Sequence, residues 1–342
     1  MFIVTATLIY KVAARHGIET SYIESSAVRA QQLLDELQSL LQRQFPPDAL
    51  PGVDVLVTGS IAKYQCTRGS DVDFFGVTEQ PLAKGQTESI LRAIGDKAQA
   101  MGFDMPFAEG SNGVFVPRSE LETFSVVSDD IRRVFRRMTL VTGSVSAYRP
   151  ELRAAIVRNI ISVFVGRERT PRVRGVFDHV LHLARLGNMV AEWRMQHHNA
   201  DGGYVHWAKC FTLYCVETAS SLAAVIRASV TSEGRSREDL VEALAVHLDQ
   251  PPVARLLAWY DEVGASGQDA LATVLAVTND ALRLFDTEGV RPRLAAAGDD
   301  EPTRELCGSF EQLMRRLNKA LVQLFYREPV FQSWTEELGV FG

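Results

Sequence analysis

The chain has 342 residues, 46% of them hydrophobic and 23% charged, with a net charge of −6. That length exceeds one typical domain, and the balance provides apolar side chains for buried cores while excluding disorder as the main state. The apolar opening, residues 1–10, is about half of the ~20 residues needed to span a bilayer and follows no basic segment, so the expectation is a soluble cytoplasmic protein without a membrane anchor.

Residues 25–45 place leucines at helical spacing behind paired serines, which predicts a capped amphipathic helix ended by Pro46-Pro47. Val53-Asp54-Val55-Leu56-Val57 reads as a strand that stops at Thr58-Gly59-Ser60, and residues 71–77 (DVDFFGV) read as a second strand. A helix is predicted over 87–101 with Gly102 as its stop, followed by short strands at 103–107 and 114–116. After about Asp129 the pattern predicts helices only, over 129–140, 151–165, 172–197, 205–229, 236–248, 252–263, 268–284 and 301–325. No period of about 20–50 residues recurs, which excludes a solenoid. The expected class is α+β: a small mixed-sheet domain with its N-terminal helix in residues 1–148, then an all-α helical bundle in 149–342.

Four cysteines, Cys66, Cys210, Cys215 and Cys307, form no CxxC pair, so reduced thiols are expected rather than a disulfide framework or a zinc knuckle. The charge is uneven. Residues 131–174 hold eleven arginines against Glu151 and Glu168, a local +9 that leaves −15 on the rest and could draw anions despite the acidic total.

The segment that carries chemistry is 57–75, VTGSIAKYQCTRGSDVDFF. Alternation along a strand sends Asp71 and Asp73 to one face and Val72 and Phe74 to the other. Two carboxylates that close repel, and hard divalent cations offset the repulsion, because Mg²⁺ prefers carboxylate, water and phosphate oxygens. Gly59, without a β-carbon, leaves room for phosphate oxygens at the following amides, and Ser60 adds an amide and a hydroxyl. A helix starting near Ile61 would add its dipole, and Lys63 and Arg68 would supply positive charge.

A strand-borne Gly-Ser followed at this distance by Asp-x-Asp between hydrophobics resembles the DNA polymerase β-like nucleotidyltransferase superfamily. Within it, GSIAKYQCTRGSDVDFF looks most like the bacterial branch of signal-transduction or regulatory nucleotidyltransferases, akin to the protein uridylyltransferases. The motif covers about 20 residues, and softer similarity lies at 112–115, at 128–138 and around Trp193 and Trp207. The resemblance implies a nucleotidyltransferase sheet domain followed by a helical domain. It implies two Mg²⁺ ions held by Asp71 and Asp73, nucleotide phosphates held by Gly59 and Ser60 with Lys63 and Ser70 alongside, and a third metal-ligating carboxylate on an adjacent strand. Asp104, in GFDMPF, is the choice for that third acid and Glu109 the rival. The chain departs from the commoner pattern in having Lys63 where many relatives have arginine, a point charge in place of a bidentate fork.

The expected activity is transfer of a nucleoside monophosphate from an NTP to a hydroxyl on a protein, RNA or small molecule. Two other readings stand beside it: an inactive nucleotide-binding regulator, or a protein that uses Arg132, Arg133, Arg136 and Arg137 for RNA or an acidic partner. The bland reading of those arginines is a solvated helix face. Asp129-Asp130 read as helix caps. His179 and His182 lack a completing ligand, and His197, His198 and His206 suggest no mechanism.

Overall fold

The computed structural model describes residues 2–46, 48–104, 113–123, 131–165, 203–296 and 298–332. Its contacts group the chain into two units. One comprises Ser26–Arg172 with Arg235–Asp249, and the other Met1–Ser25, Val173–Gly234 and Gln250–Gly342. The fold is mostly helical with one small mixed sheet, hence α+β.

In the first, sheet-bearing unit, β1 (Val53–Val57) has the bounds its aliphatic run predicts. It pairs antiparallel with β2 (Phe74–Thr78) on one side and with β4 (Val145–Ser146) on the other, and β2 pairs parallel with β3 (Phe115–Pro117). The order is β3-β2-β1-β4. β4 corrects the expectation of helices alone after Asp129. Two residues cannot carry an alternation, and β4 is held by its pairing with Leu56 and Val57 and by the Ser146 hydroxyl donating to Asp54 Oδ1 at 2.8 Å.

One face of the sheet gives Val53, Val55, Val57 and Phe74 to a core shared with α2 (Ser21–Gln44) and α4 (Lys84–Ala100), whose Leu33, Leu37, Ile90 and Ile94 are fully buried. Burial of such side chains contributes roughly 1.5–3 kcal/mol each. After α3 (Gly59–Ala62), the unit continues through α5 (Arg118–Glu122), α6 (Ile131–Thr142) and α7 (Pro150–Phe164), and a helix from later in the chain, Arg237–Leu248, joins it. α7 packs on β1, α5 and α6.

The second unit is helical. α1 (Phe2–His16) buries Ile9, Val12 and Ala13 in its core. α8 (Gly203–Lys209) runs through a π-helical turn, Cys210–Tyr214, into α9 (Cys215–Thr231). α10 (Arg237–Leu248), capped by Ser236, returns to the sheet-bearing unit and packs on α7. α11 (Pro252–Leu257), α12 (Ala265–Asp286), α13 (Val290–Ala296) and α14 (Glu301–Arg327) complete the helical unit. Its core centres on Trp259 and Tyr260, with the Phe331 ring tilted against Trp259 at 4.8 Å and edge-on to Phe325 at 4.9 Å between centroids. Gly264 offers no capping side chain to α12, and Glu328 supplies one instead, its Oε2 accepting from the Gly264 amide at 3.0 Å.

The contact grouping is not a single division along the chain. α1 belongs with the helical core because its apolar stripe packs against α11 and α12, whereas α7 packs on β1 and β4 and α10 packs on α7. Among the described residues, one helix, Tyr204–Thr231, is long and apolar enough to cross a membrane, and 61% of its apolar window is buried within the protein. All four cysteines are free thiols. The predicted helix over 172–197 lies outside the described residues, as do His179, His182, Trp193, His197, His198, Glu109 and Asp129-Asp130.

Candidate active site

β1 ends at Val57, and its pairing with β2 continues one step further through the Thr58 amide, which donates to the Asp73 carbonyl at 2.8 Å. The chain then turns sharply. Gly59 has φ +64°, a left-handed conformation that glycine adopts without steric cost. A β-carbon at Gly59 would lie 2.3 Å from Asp73 Oδ2 and 3.1 Å from Asp73 Cβ. The Asp73 carboxylate thus packs directly over the Gly59 α-carbon.

On the second strand segment, Val72 and Phe74 are buried in the α2/α4 core while Asp71 and Asp73 are half-buried. The two acids consequently alternate away from that core. β2 is shorter than predicted, because regular pairing begins at Phe74. Asp71 instead makes an isolated parallel bridge to Asp104, in which the Val72 amide donates to the Asp104 carbonyl at 3.3 Å and the Asp104 amide to the Ser70 carbonyl at 3.2 Å. Phe103, next to Asp104, is buried in the same core as Val72. Bridged neighbours share a face in a parallel pair. Asp71, Asp73 and the exposed Asp104 are therefore brought to the same side of the sheet edge.

The loop from Lys63 to Ser70 is tied down from behind. Tyr64 adopts φ +57°, a conformation that costs a β-carbon-bearing residue about 1 kcal/mol or more. Its hydroxyl donates to Gln31 on α2 at 2.9 Å, and its carbonyl accepts from the Ser26 hydroxyl at 3.0 Å. The Cys66 thiol donates to the Ser26 carbonyl at 3.2 Å, and the Gln65 amide to the Ser60 carbonyl at 2.8 Å. These anchors are invisible in the sequence, since a tyrosine and a cysteine in a polar loop carry no spacing signal.

Placement separates the other expected residues. Ser60 and Lys63 are half-buried at the turn, and Arg68 is exposed on the loop. Ser70 is 1% exposed and its hydroxyl accepts from the Thr67 amide at 2.9 Å, so it shapes the loop rather than facing a ligand. α3 is a single turn beginning at Gly59, which offers amides but no long aligned dipole.

Of the four arginines expected to meet an anionic partner, Arg137 is corrected to a structural role. It is 2% exposed and donates to the carbonyls of Glu120, Leu121 and Thr123, closing the C-terminal end of α5. Arg136 pairs with Glu120 at 3.2 Å and Arg133 lies 3.7 Å from the same carboxylate, while Arg132 is exposed.

Among the described residues, no three His, Cys, Asp or Glu side chains converge into a ready-made metal cage. Magnesium does not need one: it usually takes one or two carboxylates and fills its octahedron with water and substrate phosphates. The hard oxygens of Asp71 and Asp73, beside a glycine cradle that a β-carbon would fill, fit such an ion. No protein-family model matches the chain, and no curated protein matches it.

Proposed function

We propose that this chain is a magnesium-dependent nucleotidyltransferase that moves a nucleoside monophosphate from an NTP to an acceptor hydroxyl and releases pyrophosphate. The observation that carries the reading is the Asp73 carboxylate packed over the Gly59 turn, with Asp71 and its bridge partner Asp104 on the same side. The glycine lets the Asp73 carboxylate sit against the turn, and Ser60 would offer its amide and hydroxyl to phosphate oxygens. Asp71 and Asp73 would hold the metal on the triphosphate, and Asp104 would complete a second metal with them. When bound, the ions neutralise the triphosphate and lower the pKa of the attacking hydroxyl. Positioning is the protein's main contribution, because phosphoryl chemistry needs little covalent help. The setting is a soluble, cytoplasmic one. The acceptor class stays open between protein, RNA and small molecule, since the motif serves only the donor half of the reaction.

The test is incubation of the purified chain with each α-labelled NTP, Mg²⁺ and a cell extract, following label transfer and pyrophosphate release. Transfer is expected with the natural chain. Asp71→Ala with Asp73→Ala is expected to reduce it by more than about 1,000-fold while preserving the circular dichroism spectrum. Unchanged transfer in the double variant contradicts the assignment. A second reading, a regulator that binds NTP without turnover, is favoured by the lack of a converged acidic triad among the described residues. Nucleotide binding with no pyrophosphate release would select it.

A further inference from the structure

Asp54 stands in the middle of β1, where every other residue is aliphatic, and it is fully buried on the sheet face that carries Leu56. Its Oδ1 accepts from the Ser146 hydroxyl, the Arg149 amide and the Val55 amide, each at 2.8 Å. Its Oδ2 is buried with no hydrogen-bond partner. One carboxylate oxygen thus fastens β1 to β4 and to the N-cap of α7, and the other meets nothing. A buried oxygen left unsatisfied is costly, more so when charged.

The charged group whose field reaches Asp54 is Arg153 on α7. The hydrogen bonds that reach the carboxylate from β4 and the start of α7 come from neutral donors, the Ser146 hydroxyl and the Arg149 amide, and its cross-strand partner on β2 is Val77. Arg153 is engaged elsewhere, donating to Asp249 Oδ1 at 2.5 Å and to the Ser144 hydroxyl at 2.9 Å. Asp249 is the C-cap of α10. α10 is also held by Arg158 on Glu242, by Arg237 donating to the carbonyls of Ser162 and Val165, and by buried Leu240, Leu244 and Leu248. Arg153 thus pairs with Asp249 while its charge also acts on Asp54 at longer range.

We propose that Asp54 is a proton-controlled latch: as the neutral acid it leaves Arg153 to Asp249 and the end of α10 stays fastened, and as the carboxylate it draws Arg153 to its free oxygen and releases that end. Burial is what moves the protonation event toward physiological pH, to about 7. The latch does not depend on the nucleotidyltransferase reading, because none of its residues belongs to the candidate metal site.

Amide hydrogen exchange tests it. In the natural chain, protection of the Leu248 and Asp249 amides, corrected for intrinsic rates, is expected to fall about tenfold between about pH 5.5 and 8.5, whereas Asp54→Asn keeps it constant. Direct titration of the Asp54 carboxyl carbon by NMR gives a second readout that does not require that variant to fold. Its midpoint is expected to rise in Arg153→Gln, since the ionised form loses a favourable charge. Equal pH dependence in the natural chain and Asp54→Asn, constant protection in both, or a midpoint indifferent to Arg153→Gln overturns the proposal.

Discussion

Gly59→Ala is expected to abolish nucleotidyl transfer, by about 100-fold or more, and to cost roughly 1–3 kcal/mol in folding stability. Two independent effects converge at this one methyl group. The backbone φ of +64° strains any β-carbon, and that carbon would sit 2.3 Å from Asp73 Oδ2, inside van der Waals contact. Either the turn unwinds or the carboxylate leaves its place, and both outcomes remove the juxtaposition on which the proposed metal binding rests. A double-mutant cycle separates the effects. Gly59→Ala combined with Asp73→Ala relieves the clash, so the stability losses should be less than additive while transfer remains absent. Gly59→Ala with full transfer would mean that Asp73 is not held over the turn in the working state.

Asp54 gives the second large effect. Its carboxyl ordinarily titrates at 3.8, and burial pushes it up to about 7 in the folded protein against the opposing pull of the Arg149 amide, Ser146, Val55 and Arg153. A folded-state value above the unfolded one means that the unfolded chain gives up the proton first as pH rises. The stability contributed by neutral Asp54 is therefore fully present below about pH 4 and is lost as pH rises to about 7, at roughly 1.4 kcal/mol per pH unit and about 4 kcal/mol in total. Asp54→Asn keeps an acceptor oxygen for Ser146 and the Arg149 amide and cannot ionise. Denaturant midpoints should be similar for the two proteins near pH 4, while near pH 8 the variant should be the more stable. Parallel pH profiles would contradict a neutral Asp54.

The parts of the fold visible in the sequence are those whose signals are local. β1 keeps its predicted bounds because an aliphatic run is fenced by Pro51-Gly52 and by Gly59. The alternation at 71–74 is also local, and the burial of Val72 and Phe74 follows it. What the sequence hides is which surface each element covers. α10 has an unmistakable capping box at Ser236 and Asp239, yet nothing in its period says that it turns back to α7 rather than joining the helices on either side of it in the chain. β4 owes its existence to partners 90 residues away in β1. Arg136 and Arg137 look like surface charge in a helical pattern, and their roles depend on the Glu120 carboxylate and the carbonyls ending α5. Within the candidate site, the alternation of Asp71 and Asp73 away from the core is legible from spacing, but the burial of Ser70 and the left-handed Tyr64 are not, since both arise from how the loop is fastened to α2.

The central claim is that the acids at the Gly59 turn bind a nucleotide through magnesium. Isothermal titration of the full chain with each NTP, with Mg²⁺ and with chelator, measures this most directly, alongside Asp71→Asn with Asp73→Asn. Saturable binding that requires Mg²⁺ and weakens by about 100-fold or more in the double variant is expected. Binding of equal strength in the natural chain and the variant, or indifferent to Mg²⁺, would contradict it.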